Sequence, residues 1–178
     1  MIAEPLAISG VMLLRETVHT DTRGTFRRIL DSVQLAELGL ESQISQISNA
    51  SNVRRGTVRG MHYQVEPHDE TKIIWCNVGA VFDVLVDLRP EEATYGQWTS
   101  VELRADEPTA LYVPRGVAHG YQTLDDDTSL TYFISTPYEP EAARALLWSD
   151  PTIGIAWPLG VASISPRDAG APPWPPQH

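Results

Sequence analysis

Five histidines, His19, His62, His68, His119 and His178, are spread through the chain, and two of them have settings that could do chemistry. His62 lies in the strand-like run Thr57-Val58-Arg59-Gly60-Met61-His62-Tyr63-Gln64. His119 follows a Pro114-Arg115-Gly116-Val117-Ala118 turn that fixes the direction of its imidazole. An imidazole with an ordinary pKa of about 6.5, lodged in a polar cavity, serves as general base or acid near neutrality. In Val81-Phe82-Asp83-Val84-Leu85-Val86-Asp87-Leu88, alternation sets Phe82, Val84, Val86 and Leu88 on one face and Val81, Asp83, Leu85 and Asp87 on the other. A half-exposed strand would turn these aspartates to bulk water, whereas a small barrel would turn them into a ligand cavity. The single Cys76 excludes an intramolecular disulfide and a Cys-rich zinc site.

Short apolar or alternating runs between turn signals must position these residues, and they favour an all-β sandwich or barrel over strand–helix units. Strands are expected at Val11–Glu16, Gln43–Ser48, Thr57–Gln64, Lys72–Val78, Ala80–Asp87, Thr99–Leu103, Thr109–Val113, Gly120–Thr123 and Ser129–Ser135. One helix is expected over Ser32–Leu38, capped by Asp31 or Ser32 and stopped by Gly39; a weaker one spans Pro140–Leu147, with Pro140 at its first position. The Pro-rich tail from Ser165 reads as irregular chain that covers the barrel, since Trp174 is a poor residue to leave in water. With 178 residues the chain is expected to form one domain, residues 1–178. A charge of −10, from 13 Lys+Arg and 23 Asp+Glu, opposes binding to nucleic acid or anionic membranes. No run is long and apolar enough to span a membrane and no secretory leader is evident, so the cytoplasm is the expected compartment.

The Gly56-x5-His62 spacing followed by Pro114-x-Gly116-x-x-His119 resembles the two motifs of the cupin superfamily, which implies a cupin-type β-barrel, a double-stranded β-helix or jelly roll, with one or two short helices. Metal-binding cupins usually carry His-x-His in the first motif, and His62-Tyr63-Gln64 departs from it, so no metal and no cofactor are expected.

Five collinear segments resemble the dTDP-4-dehydrorhamnose 3,5-epimerase family more closely: Val58–Gln64, Val81–Arg89, Thr94–Trp98, Tyr112–Gly120 and Trp148–Pro158. The resemblance implies a metal-independent homodimer acting on a nucleotide-diphosphate-linked 4-keto-6-deoxy sugar. Epimerisation beside a ketone needs a base, a partner for the enolate oxygen and an acid on the opposite face. By resemblance His62 is the base, Asp168 orients it, Lys72 stabilises the enolate and Tyr132 is the acid. By the same resemblance Arg23 and Arg59 are expected on the diphosphate, Asp83 and His119 around the sugar, Tyr138 beside the sugar or nucleotide, and Asn49 beside the nucleotide base. Alternation places Arg59 and His62 on opposite faces of one strand, unless Gly60 marks a bulge or Arg59 serves a partner subunit.

The sequence departs from the family at Arg28, where an acid is common, at Ile47, where a Gln is common, and at Ala143, in place of a Glu. All three bear on the nucleotide base. The proton-transfer set is complete, so the alternatives are a C3- or C5-only epimerase of another sugar nucleotide, GDP- or CDP-linked, a heptose included, or a non-catalytic sugar-nucleotide-binding cupin. A metal-dependent cupin oxygenase or isomerase is a further rival.

Overall fold

Two antiparallel sheets face each other in the computed structural model, which describes residues 1–175; His178 lies outside them. In chain order the elements are β1 (Ile2–Pro5), β2 (Met12–Arg15), β3 (Val18–Asp21), β4 (Gly24–Arg27), α1 (Ser32–Glu37), β5 (Gln46–Asn52), β6 (Val58–Gln64), β7 (Lys72–Val78), β8 (Ala80–Asp87), β9 (Trp98–Arg104), β10 (Thr109–Val113), β11 (Val117–Thr123), β12 (Thr128–Ile134), β13 (Ala143–Ala145) and α2 (Pro166–Ala169). One sheet has six strands in the order β1-β2-β10-β7-β12-β5 and the other five, β13-β6-β11-β8-β9, while β3 and β4 form a separate hairpin. This is the expected all-β, cupin-type barrel with two short helices.

Apolar side chains from both inner faces fill the space between the sheets: Ile74, Leu111 and Leu130 from one meet Val81, Leu85, Leu103 and Tyr121 from the other. Truncating a fully buried leucine in such a core costs about 2–5 kcal/mol. Both faces of β8 are buried. Its Val84 and Val86 lie with Met61 beneath Leu146, Ile153, Trp157 and Trp174, so the chain after β12 seals the outer face of the five-stranded sheet. Asp83 and Asp87 are fully buried, Asp87 accepting from Arg89 and Thr94. The barrel, and not the half-exposed strand, describes β8. On the outer face of the six-stranded sheet, Leu35 of α1 packs on Leu14, Ile73 and Ala110. Asp31 caps α1 by accepting from Val33 N and Gln34 N at 3.0 and 3.2 Å.

Several expected elements differ. Pro140–Leu147 is not helical: although Ala and Arg favour helix, Ala143–Ala145 forms β13 on the edge of β6, where tertiary pairing overrides propensity. The strand expected at Gln43–Ser48 is β5, displaced to Gln46–Asn52 by its register with β12. Within the tail, Ser165 accepts from Asp168 N and caps α2, and Trp174 covers the barrel as expected. The exposed β3–β4 hairpin and the edge strand β1 carry little apolar alternation and have no counterpart in the sequence reading.

The bulge expected at Gly60 is present. Arg59 pairs with Tyr121 and His62 with His119, three steps on β6 against two on β11. The extra residue reverses the alternation, so Arg59 and His62 share the inner face and Met61 joins the outer apolar cluster. Gly60 has φ +132°, and a Cβ there would lie 2.5 Å from Gly120 Cα. Gly60→Ala is therefore expected to lower stability by about 2–4 kcal/mol, read as a shift in the urea midpoint; an unchanged midpoint would show that the strands part freely.

Candidate active site

Between the sheets lies a cavity of about 270 Å³. β6 and β11 supply Arg59, His62, His119 and Tyr121, the opposing sheet supplies Lys72 and Tyr132, and Tyr138, Arg144 and Arg167 also line it. His62 and Tyr132 thus approach the same space from opposite sheets.

Behind His62, its Nε2 meets Asp168 Oδ1 at 2.7 Å. Asp168 Oδ2 accepts from Gly60 N at 3.3 Å, tying the carboxylate to the bulge. The imidazole side chain is 39% exposed and the carboxylate 5%, so the imidazole faces the cavity while its partner is shielded. Burial alone would push the Asp168 carboxyl up, but the hydrogen bond and charge of His62, with the Gly60 N–H and Ser165, hold it below the ordinary carboxylate value. An ionised carboxylate only accepts, so Nε2 donates to it and Nδ1 is the ring nitrogen turned away from the pair.

A second pair stands beside the first. His119 Nε2 meets Asp83 Oδ2 at 2.9 Å, and the strand register sets His119 opposite His62. Both members are buried; burial pushes Asp83 up, against the opposing charges of His119 and Lys72. The His119 ring meets the Tyr132 ring edge-on at 5.9 Å. Burial, then Tyr121 and Asp83, push the Tyr132 phenol well above its usual value. Lys72 Nζ lies 3.0 Å from Glu70 Oε1 and donates to His62 O at 3.2 Å.

Of the expected site residues, the structure brings together His62, Asp168, Tyr132, Lys72, Arg59, Asp83, His119 and Tyr138. It does not bring Arg23 or Asn49 to this cavity. Arg23 sits at the tip of the exposed β3–β4 hairpin, paired with Asp21 at 2.6 Å. Asn49 shares its face of β5 with the exposed Ile47, and its amide donates to Leu130 O and Thr131 Oγ1; Gln46 and Ser48 face the cavity instead. Arg28 is engaged with Asp31 at 2.9 Å, and Ala143 lies at the cavity wall.

Several contributors escaped the sequence reading, among them Gln46, Ser48 and Tyr121 of the cavity wall. Asn52 accepts from Arg59 Nε at 2.8 Å and from the Tyr121 hydroxyl at 3.2 Å, although its sequence context reads as a turn. Glu70 could have been found from its i, i+2 spacing to Lys72, and Arg167 from its place beside Asp168. Arg144 lay in the supposed helix and carried no signal. Among the described residues no group of three or more His, Cys, Asp or Glu is placed to hold a metal ion, and no helix is long and apolar enough to cross a membrane.

Comparison with known proteins gives a consistent result. The sequence model of the family described as dTDP-4-dehydrorhamnose 3,5-epimerase matches residues 5–175. The dTDP-4-dehydrorhamnose 3,5-epimerase of Sinorhizobium fredii is 38% identical over 173 residues, 97% of this chain and 89% of that protein. A solved 3,5-epimerase from Legionella pneumophila, in complex with dTDP-4-keto-L-rhamnose, superposes with TM-score 0.90 at 30% identity, covering 96% of this chain and 91% of that one. A 3'-monoepimerase from Streptomyces bikiniensis, in complex with dTDP-quinovose, gives TM-score 0.88 at 33% identity over 95% and 86% of the two chains.

The lowered Asp168 carboxyl has a sign that can be tested. A carboxyl depressed in the folded state contributes stability above its unfolded value of about 3.9 and loses it as pH falls through the folded value. The gap in urea midpoint between the wild type and Asp168→Asn is expected to be widest above pH ~4 and to close in stronger acid. A gap that is constant with pH would contradict the pairing.

Proposed function

The chain belongs to the dTDP-4-dehydrorhamnose 3,5-epimerase family, and from that premise we propose that it is a cytoplasmic, cofactor-independent homodimer that inverts C3 and C5 of a dTDP-linked 4-keto-6-deoxyhexose. The observation that carries this reading is the His62–Asp168 pair facing Tyr132 across one cavity, from opposing sheets. His62 Nδ1 takes the proton from the carbon beside the ketone, and the C–H electrons move to form the enolate. The Lys72 ammonium stabilises the charge on the enolate oxygen. Tyr132 then gives its phenolic proton to the opposite face of the carbon, and the resting state returns as His62 releases its proton to water and Tyr132 takes one up. Its raised value keeps the phenol protonated at rest, so the proton is present when the enolate forms. Asp83 and His119 form the polar wall beside the sugar.

Guanidinium groups suit the diphosphate, and Arg59, Arg144 and Arg167 at the cavity support that placement. Tyr138, 55% exposed, offers a surface for the nucleoside. The dTDP ligands of the solved relatives support thymidine as the nucleoside. The β3–β4 hairpin supports the homodimer: it belongs to neither main sheet, exposes Phe26, and as a lone two-stranded unit is marginal in water. Seated on a second copy, it would carry Arg23 to that copy's diphosphate, and Asn49 would meet the same ligand across the interface.

Proton exchange separates these roles. In D2O with dTDP-4-keto-6-deoxyglucose, deuterium is expected at both C3 and C5 by NMR; exchange at a single carbon would make the enzyme a mono-epimerase, and none in folded protein would overturn the reading. His62→Asn is expected to lose exchange by a factor of about 10²–10⁴ or more. Tyr132→Phe keeps the base and loses the opposed acid, so deuterium washes in without inversion. Light scattering is expected to give twice the chain mass. Arg23→Ala is expected to raise KM with little change in kcat; a monomeric wild type, or an unaltered KM, would remove the hairpin from the site.

A further inference from the structure

Asp168 sits in α2, a helix of four residues. Isolated helices shorter than about 12–15 residues are marginal in water, so α2 is held in place by the chain on either side. Upstream, Val58 N donates to Ser163 O at 2.8 Å and Ala162 N to Gly56 O at 2.9 Å. Downstream, Leu147 N donates to Pro172 O at 2.8 Å, and Trp174 N donates to Asp150 Oδ2 at 2.8 Å. Asp150 is buried, and its other oxygen accepts from Thr152 N and Ile153 N. The Trp174 ring lies 5.0 Å from that of Tyr95 and packs over Gly96, where a Cβ would stand 3.0 Å from the indole. It joins Met61, Val84 and Val86 on the outside of the barrel. Neither Asp150 nor Trp174 lines the cavity.

We propose that the segment from Ala171 to Trp174 is a strap, and that Asp150 and Trp174 are positioning residues which hold Asp168 on His62 from the far side of the sheet. The proposal rests on the reading of His62 as the base. Three residues, Ala169, Gly170 and Ala171, separate Asp168 from Pro172, where the strap makes its first hydrogen bond to the barrel, and Ala171 N donates back to Asp168 O at 3.4 Å, so little slack lies between anchor and carboxylate. With the strap released, α2 keeps only its upstream anchor and the bonds of Asp168 itself to Gly60 N and His62, and the carboxylate is no longer held firmly on His62 Nε2. Met61 is common to both layers: it flanks the bulge and contacts the strap's apolar cluster. The His119–Asp83 pair needs no such support, because both members lie on paired strands β11 and β8.

The test compares Trp174→Ala, Asp150→Asn and the conservative Trp174→Phe with Asp168→Asn. Asp150→Asn retains an oxygen for Thr152 and Ile153 but turns an amide, a donor, towards Trp174 N. The imidazole nitrogen-15 signals of His62 and His119 are recorded beside steady-state kinetics. Trp174→Ala and Asp150→Asn are expected to move the His62 signals towards those of Asp168→Asn, leave the His119 signals in place, and lower kcat about 10- to 10²-fold with KM nearly unchanged. Trp174→Phe is expected to restore most of both. Wild-type His62 signals in both strap variants would overturn the proposal, as would a loss confined to KM or an equal displacement of the His62 and His119 signals. Should Asp168→Asn itself leave kcat unaltered, the catalytic reading falls, and the His62 signals still decide the strap.

Discussion

Strands β6 and β11 touch at Gly60 and Gly120 more closely than any side chain would allow. From that contact follow the extra residue on β6, the reversal of its alternation, and the arrival of Arg59 and His62 on one side of a strand that would otherwise separate them. Met61, displaced outwards, becomes part of the layer that seals the sheet. The Gly60 N–H, released from regular pairing, donates to Asp168. A single close approach of two backbones thus sets the direction of His62, the position of Arg59 and one of the hydrogen bonds that hold the Asp168 carboxylate.

The two histidine–carboxylate pairs show how burial divides labour between similar groups. His62 is open to the cavity and its partner has several donors, which hold the carboxyl below its ordinary value. His119 and Asp83 are enclosed, and desolvation works against the charge on Asp83. Tyr132 stands against this second pair, and the nearby carboxylate is one reason its phenol resists ionisation. Burial thus leaves the first pair open to the cavity and encloses the second against Tyr132.

Elements whose identity depends on local pattern were legible in the sequence: β7, β8 and β10 fall at their expected bounds because alternating or β-branched runs end at clear turns, and α1 follows its Asp31 cap. Gly60 could be recognised as a candidate bulge, but its counterpart Gly120 is joined to it only by pairing in space. β13 was hidden because its alanines favour helix and only the free edge of β6 makes them a strand. Asp168 meets His62 across 106 residues, a relation that no local spacing encodes and that entered through family resemblance. Asn52, Arg144 and Arg167 acquire their roles from what the fold places beside them. The alternation of β5, displaced from its expected start, turns Gln46 and Ser48 inwards and Asn49 away.

With His62 and Tyr132 on opposing sheets, the proposed proton transfers share a single axis across the cavity. C3 and C5 of a hexose flank the ketone at C4, and they cannot both lie on that axis at once. Under the proposed function, inversion of both would accordingly be two turnovers of one machine, with the pyranose turned over or slid between them while its nucleotide tether holds. How many stereocentres such an enzyme alters becomes a question of rotational freedom for the ring, set by the walls of the cavity and not by the groups that move the proton.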